Sequence, residues 1–166
     1  MAAHHRRQWA AAAVAAGVLS IAAPGPVYAV DFDIVFPADT ACEFELGVNV
    51  TGGKPITREF FDSDGNTVRT LTAGRGSDLT FTNVDTGATV SLKGNGSVTS
   101  TIIHPDGSSS VRSTGHNVLI LFPTDVPAGP STTLYVGQVS YDVDAQQVFT
   151  LTSASGRTTD ICDELG

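Results

Sequence analysis

The chain has 166 residues, 41% of them hydrophobic and 16% charged, with a formal net charge of −8. That length suits one domain built around one core. The acidic balance argues against nucleic acid and anionic lipid surfaces as partners, because both repel negative charge.

The first thirty residues differ from the rest. Arg6 and Arg7 precede an uncharged, Ala-rich stretch, and Val27 and Ala29 are small residues three places and one place before a cut after Ala29. This order predicts a secretory signal peptide over residues 1–29 and one secreted domain over 30–166. A bilayer span needs about 20 predominantly apolar residues; a stretch broken by Gly17, Pro24, Gly25 and Pro26 falls short, so no stable membrane span is expected after the leader is removed. The arginine pair raises twin-arginine export, but Gln8, Trp9 and Ala10 fit that motif poorly and the general route is favoured. The mature chain keeps seven basic and seventeen acidic residues, a formal charge of about −10.

Cys42 and Cys162 are the only cysteines. In an oxidising compartment the pair reads as one disulfide, tying the start of the mature domain to its end. Nothing nearby supplies soft ligands for the alternative, a metal pair.

The mature sequence reads as strands and turns, with no window of helical period. Residues 42–50 alternate, with Phe44, Leu46, Val48 and Val50 on one face and Glu43, Glu45 and Asn49 on the other, the period of a half-buried strand. Asp62, Asp64 and Asn66 resemble the start of a calcium loop, but Gly65 stands fourth rather than sixth and Ala73 occupies the place of the closing Glu. A hairpin turn is the reading adopted there, with a weak calcium site as the alternative. Further on, a turn at Thr86-Gly87 aligns Phe81 with Leu92. One at Gly94–Gly96 aligns Leu92 with Val98, and one at Asp106-Gly107 aligns Ile102 with Val111. Together these predict a meander with one apolar row.

His104 and His116 flank the last of these turns. At a strand rise of about 3.4 Å per residue they fall roughly 14 Å or more apart, too far to share a metal, so both are expected to be solvated histidines beside turns. Glu43 and Glu45 on one strand face could in principle cleave glycosides, but alternating Glu more often marks the solvated side. No nucleophile elbow and no phosphate loop is present, and the sequons at Asn49 and Asn95 are taken as incidental. No catalytic, cofactor-binding or metal-ligating residue is therefore assigned.

Val118, Leu119, Ile120, Leu121 and Phe122 form the strongest apolar run. A strand apolar on both faces is central and covered on both sides, or it leaves one face exposed to a partner. The first is favoured, with the Pro-rich segment 123–132 or the N-terminal "VDFDIVFP" as cover; in the second the strand is the interaction site. Residues 132–143 and 147–155 then form a last hairpin, turning near Asp144 to Gln146.

The fold class expected is all-β: eight to ten antiparallel strands, meander-rich, closed as a barrel or packed as a two-layer sandwich. The stretches "FFDSDGNTVRTLTAGRGSDLTFTNVDTG", "TGHNVLILFPTDVPAGPSTTLYVG" and "SGRTTDICDEL" resemble a family of small secreted proteins of actinobacteria. The resemblance covers the mature chain and implies export from a Gram-positive cell. That family carries no assigned activity, so no site residues transfer. The functional expectation is an extracellular, non-catalytic binding module for an apolar ligand or a protein partner. A structural or envelope-associated role is the alternative, with a hydrolase third.

Overall fold

In a computed structural model the described residues are Asp31–Gly166; the signal-peptide reading falls outside them. Ten strands form: β1 (Ile34–Phe36), β2 (Leu46–Thr51), β3 (Lys54–Phe61), β4 (Thr67–Arg75), β5 (Asp78–Asn83), β6 (Thr89–Leu92), β7 (Ser97–Ile103), β8 (Ser109–Leu121), β9 (Ser131–Val143) and β10 (Phe149–Asp160). They make two antiparallel sheets, one of four strands in the order β1-β2-β5-β6 and one of six in the order β10-β9-β8-β7-β4-β3. The fold is thus all-β and sandwich-like, which decides between the two architectures left open by the sequence.

The chain changes sheets three times: between β2 and β3, β4 and β5, and β6 and β7. Glycines sit at every crossing: Gly52 and Gly53, Gly76, then Gly94 and Gly96. The last two crossings run against each other so closely that a Cβ on Gly94 would meet the backbone of Gly76. Gly94–Gly96 is therefore a crossover and not the hairpin expected from sequence. Leu92 and Val98 lie in different sheets, and the single apolar row across three strands does not form.

The turn registers differ in instructive ways. Asn83 accepts hydrogen bonds from the Asp85 and Thr86 amides (3.0 and 3.2 Å) and so widens the expected two-residue turn to four residues. Phe81 then faces Val90, and Leu92 faces Leu79. The slip is two residues, so the inward face is unchanged. At the β7–β8 turn Pro105 presets the first corner of a type I turn and Gly107 takes φ +86°, giving a three-residue loop. This one-residue slip aligns Val111 with Thr101 instead of Ile102. It sends Val111 into the core and Ile102 to solvent. The expected β9–β10 hairpin is present, its turn braced by Asp144, which accepts from the Gln146 and Val148 amides.

A second glycine device shapes the large sheet. Gly74, Gly115, Gly137 and Gly156 lie in one transverse row with Ser97, across β4, β7, β8, β9 and β10, and all four have positive φ. Gly137 shows why no side chain fits: its φ is +147°, and an added Cβ would strike the Ser155 carbonyl and lie 3.0 Å from the Gly156 Cα. A row of such kinks bends the sheet. Two apolar cores lie on opposite faces of the large sheet at β8. One lies against the small sheet, where Leu46, Val48 and Phe81 meet Val118, Ile120 and Leu134. The other is formed within the large sheet by Leu119, Leu121, Tyr135 and Val139.

Sequence reading found no helix, but α1 (Ile161–Leu165) closes the chain. Asp160 caps it by accepting from the Cys162 and Asp163 amides, at 2.8 and 3.2 Å. Ile161 and Leu165, four residues apart on one face, are fully buried in the inter-sheet core. Five residues are too few for a hydrophobic period to register. The Cys42–Cys162 disulfide forms as expected, with a Cα–Cα distance of 5.6 Å.

Candidate functional site

Val118–Phe122 shows where the expected interaction strand went. Val118 and Ile120 face the inter-sheet core, and Leu119 and Leu121 face the second core. Phe122 meets Phe36 of the N-terminal segment, ring centroids 6.2 Å apart. The Pro-rich connection is drawn in by Asp125, 4% exposed, whose carboxylate accepts from the Phe122 and Phe149 amides (2.6 and 2.9 Å). Both suggested covers are therefore present, and the run is apolar on two faces because it serves two cores. It offers no continuous exposed patch.

The histidines lie at opposite ends of the β7–β8 pairing. His104 lies beside the β7–β8 turn, its Nε2 3.1 Å from the Ser110 hydroxyl. His116 is not a turn histidine: it is half-buried inside β8, next to the kink at Gly115, with its Nε2 3.5 Å from Asn95 Nδ2. Glu43 and Glu45 are both exposed. The Asp62 carboxylate is occupied by its own loop, accepting from the Asp64 and Asn66 amides and from Asn66 Nδ2 (2.9, 2.9 and 3.1 Å). The Asn66 side chain is the largest cause holding its pKa below the usual carboxylate value.

What the fold creates lies one residue beyond His116. Where the crossovers meet the bent sheet, the two sheets leave a cavity of about 330 Å³. Its walls are apolar at Leu79, Leu92, Leu119 and Val139 and polar at Thr99, Ser113, Asn117 and Tyr141. Exposed Lys93 and Asn95 stand among the lining residues, and His116 and Asn95 also border a neighbouring hollow of about 250 Å³.

Within the cavity lining, most polar groups already have partners. The Thr99 and Ser113 hydroxyls bond each other at 2.7 Å. Burial pushes the Tyr141 hydroxyl's pKa up, keeping it neutral, while its ring stacks on Phe149 with centroids 5.5 Å apart. Asn117 stands out: its Nδ2 is fully buried and has no hydrogen-bond partner. An unsatisfied buried amide costs about 1–3 kcal/mol, so a polar side chain here weakens the empty protein. No carboxylate or thiol lines this cavity. The chemistry available is donation of a hydrogen bond from a buried neutral amide, in a chamber walled partly by leucine and valine and partly by hydroxyls, with Lys93 and His116 among its lining residues.

Asn117 was not singled out from the sequence. Its signal was a lone amide between Gly115-His116 and a five-residue apolar run. That pattern acquires meaning only once the kink and crossovers are placed around it. Comparison with protein-family models, curated proteins and solved structures returns no match.

Proposed function

We propose that this is a secreted, non-catalytic binding module whose inter-sheet cavity takes a compact, uncharged ligand with an apolar body and a hydrogen-bond acceptor such as a carbonyl. The observation that carries the reading is the orphaned Asn117 amide in a chamber of about 330 Å³ with mixed apolar and polar walls. That volume lies at the lower end of ligand pockets, about 300–1,000 Å³. A ligand acceptor would satisfy the amide and bring its apolar body out of water. A binding role is preferred over a catalytic one because the cavity lining lacks a carboxylate or a nucleophilic thiol. Secretion accords with the formed disulfide. Among the described residues, no helix is long and apolar enough to cross a membrane.

The test is amide NMR of the secreted protein titrated with acetophenone and, separately, with its acceptor-free analogue ethylbenzene. Acetophenone is expected to saturate shifts at the Asn117 side chain and at the Leu119 and Val139 amides. Ethylbenzene should bind at least about tenfold more weakly, the discrimination typical of a buried hydrogen bond. Asn117→Leu should abolish the preference while leaving the fold intact. Equal affinity for the two probes, or shifts confined to the surface, would overturn the reading.

A further inference from the structure

A second site stands apart from the cavity, on the outer face of the large sheet. The register places Phe60, Arg69, Ile102, Ser110 and Asp142 in one transverse row and Arg58, Leu71, Ser100, Arg112 and Ser140 in the next. A groove of about 450 Å³ crosses these rows, bordered by Arg69 and Arg112, with Ser100, Ser110 and Ser140 between and beside them. It reaches from β4 to β10, four strand spacings or about 19 Å.

Both arginines are held by neutral groups. Arg69 Nε donates to the Ser100 hydroxyl at 3.2 Å, and its guanidinium lies 5.4 Å from the Phe60 ring centroid. Arg112 Nη2 donates to Gln138 Oε1 at 2.6 Å. Each guanidinium carries five N–H donors and commits one of them in this way. The two ion pairs among the described residues both end at Asp78, so neither arginine is neutralised. In a chain with seventeen acidic residues against nine basic, two oriented cations left without carboxylates are complementary to an anion from outside.

The groove also indicates what kind of anion. The strands beneath it already pair with one another, so they offer no backbone groups to a crossing peptide. The polar groups that remain are serine and threonine hydroxyls, the two guanidiniums and Asp142, and Ile102 and Val111 add apolar surface among them. The arginines stand two strand spacings and one row apart, about 12 Å, so one carboxylate cannot serve both. The inventory matches a ligand bearing hydroxyls all along its length and carboxylates at intervals. Asp142, at the far end, would repel a carboxylate but accept a hydroxyl.

We propose that this groove binds an acidic polysaccharide, a chain of uronic-acid type, independently of the cavity. Long-range repulsion from the acidic chain is screened beyond about 8 Å at physiological ionic strength, which leaves the local guanidiniums to decide the contact. The experiment is biolayer interferometry of the secreted protein on immobilised polygalacturonate, with dextran and polyglutamate as comparison surfaces. Polygalacturonate should bind saturably, and dextran and polyglutamate at least about tenfold more weakly. Arg69→Gln and Arg112→Gln should each reduce affinity about tenfold or more, the range of a lost charge-assisted hydrogen bond. Both arginines are exposed, and circular dichroism checks that the variants fold. Arg157→Gln, on β10 outside the groove, and Asn117→Leu should bind as the parent does. The proposal is overturned if polygalacturonate fails to saturate, if either groove substitution leaves affinity unchanged, if Arg157→Gln costs as much, or if polyglutamate binds as tightly.

Discussion

At the scale of single residues, carboxylates and amides are used mostly to finish backbone turns. Asp62, Asp106 and Asp144 each gather the amide groups of their own loops, and Asn83 does the same between β5 and β6. Asp106 accepts from the Ser108 hydroxyl and amide at 2.7 and 2.9 Å, and the Ser108 hydroxyl is the largest cause of its lowered pKa. For such a group the folded pKa lies below the unfolded one. Its stabilisation is present above the unfolded value of about 3.9 and is lost as pH falls through the depressed folded value. Stability should therefore decline on the acid side of pH 4. Asp106→Asn keeps a turn acceptor but no longer titrates, so it should flatten part of that decline when urea midpoints are measured from pH 5 to pH 2. An unchanged slope would show that Asp106 does not contribute to it. These three roles were readable from the Asp-Gly, Pro-Asp-Gly and Asp-Ala-Gln-Gln stretches, because turn chemistry is local. Asn117 was not, because an unsatisfied donor is defined by what fails to approach it.

At the scale of elements, the decisive residues are glycines. Alternation in β2 and the two-sided apolarity of Val118–Phe122 announce strands correctly, since side-chain period follows from the pleat. Which strands become neighbours depends on where glycine permits a crossing or a kink, and the same residue type also marks hairpins. Gly94–Gly96 was thus expected to be a hairpin and is a crossover. Gly115 marks no reversal at all and is a kink within β8. Two alanine substitutions separate backbone strain from collision. Gly65→Ala, at φ +86° with open space around an added Cβ, should cost about 1 kcal/mol. Gly137→Ala adds a backbone collision to the strain and should cost at least about 2 kcal/mol more. Urea denaturation of both variants measures the difference; equal costs would mean the sheet can relax around the kink.

At the scale of the whole molecule, the two ends of the described domain are tied together over the inter-sheet core. The disulfide spans a sequence separation of 120, and beside it α1 inserts Ile161 and Leu165. Asn83 Nδ2 donates to the Leu165 carbonyl at 3.3 Å, and the Thr132 hydroxyl to the Ala41 carbonyl at 2.9 Å. A five-residue helix has no independent stability in water, so its docking depends on these ties. Replacing both cysteines by serine should lower unfolding free energy by about 2–4 kcal/mol, read from urea midpoints. The amides of Ile161–Leu165 should exchange hydrogen earlier than those of β8 and β9. Loss of less than about 1 kcal/mol would indicate that packing alone holds the ends.

The all-β class, the pairing of the only two cysteines and most corners could be read from the residues alone, because each follows from side-chain period, residue count or local backbone preference. The sandwich, the two cores around β8, the cavity at Asn117 and the rows that bring Arg69 and Arg112 to one groove emerge on folding. Those features arise from contacts between segments far apart in the chain. A register slip of one residue, as at Val111, exchanges inside for outside without changing a single local preference.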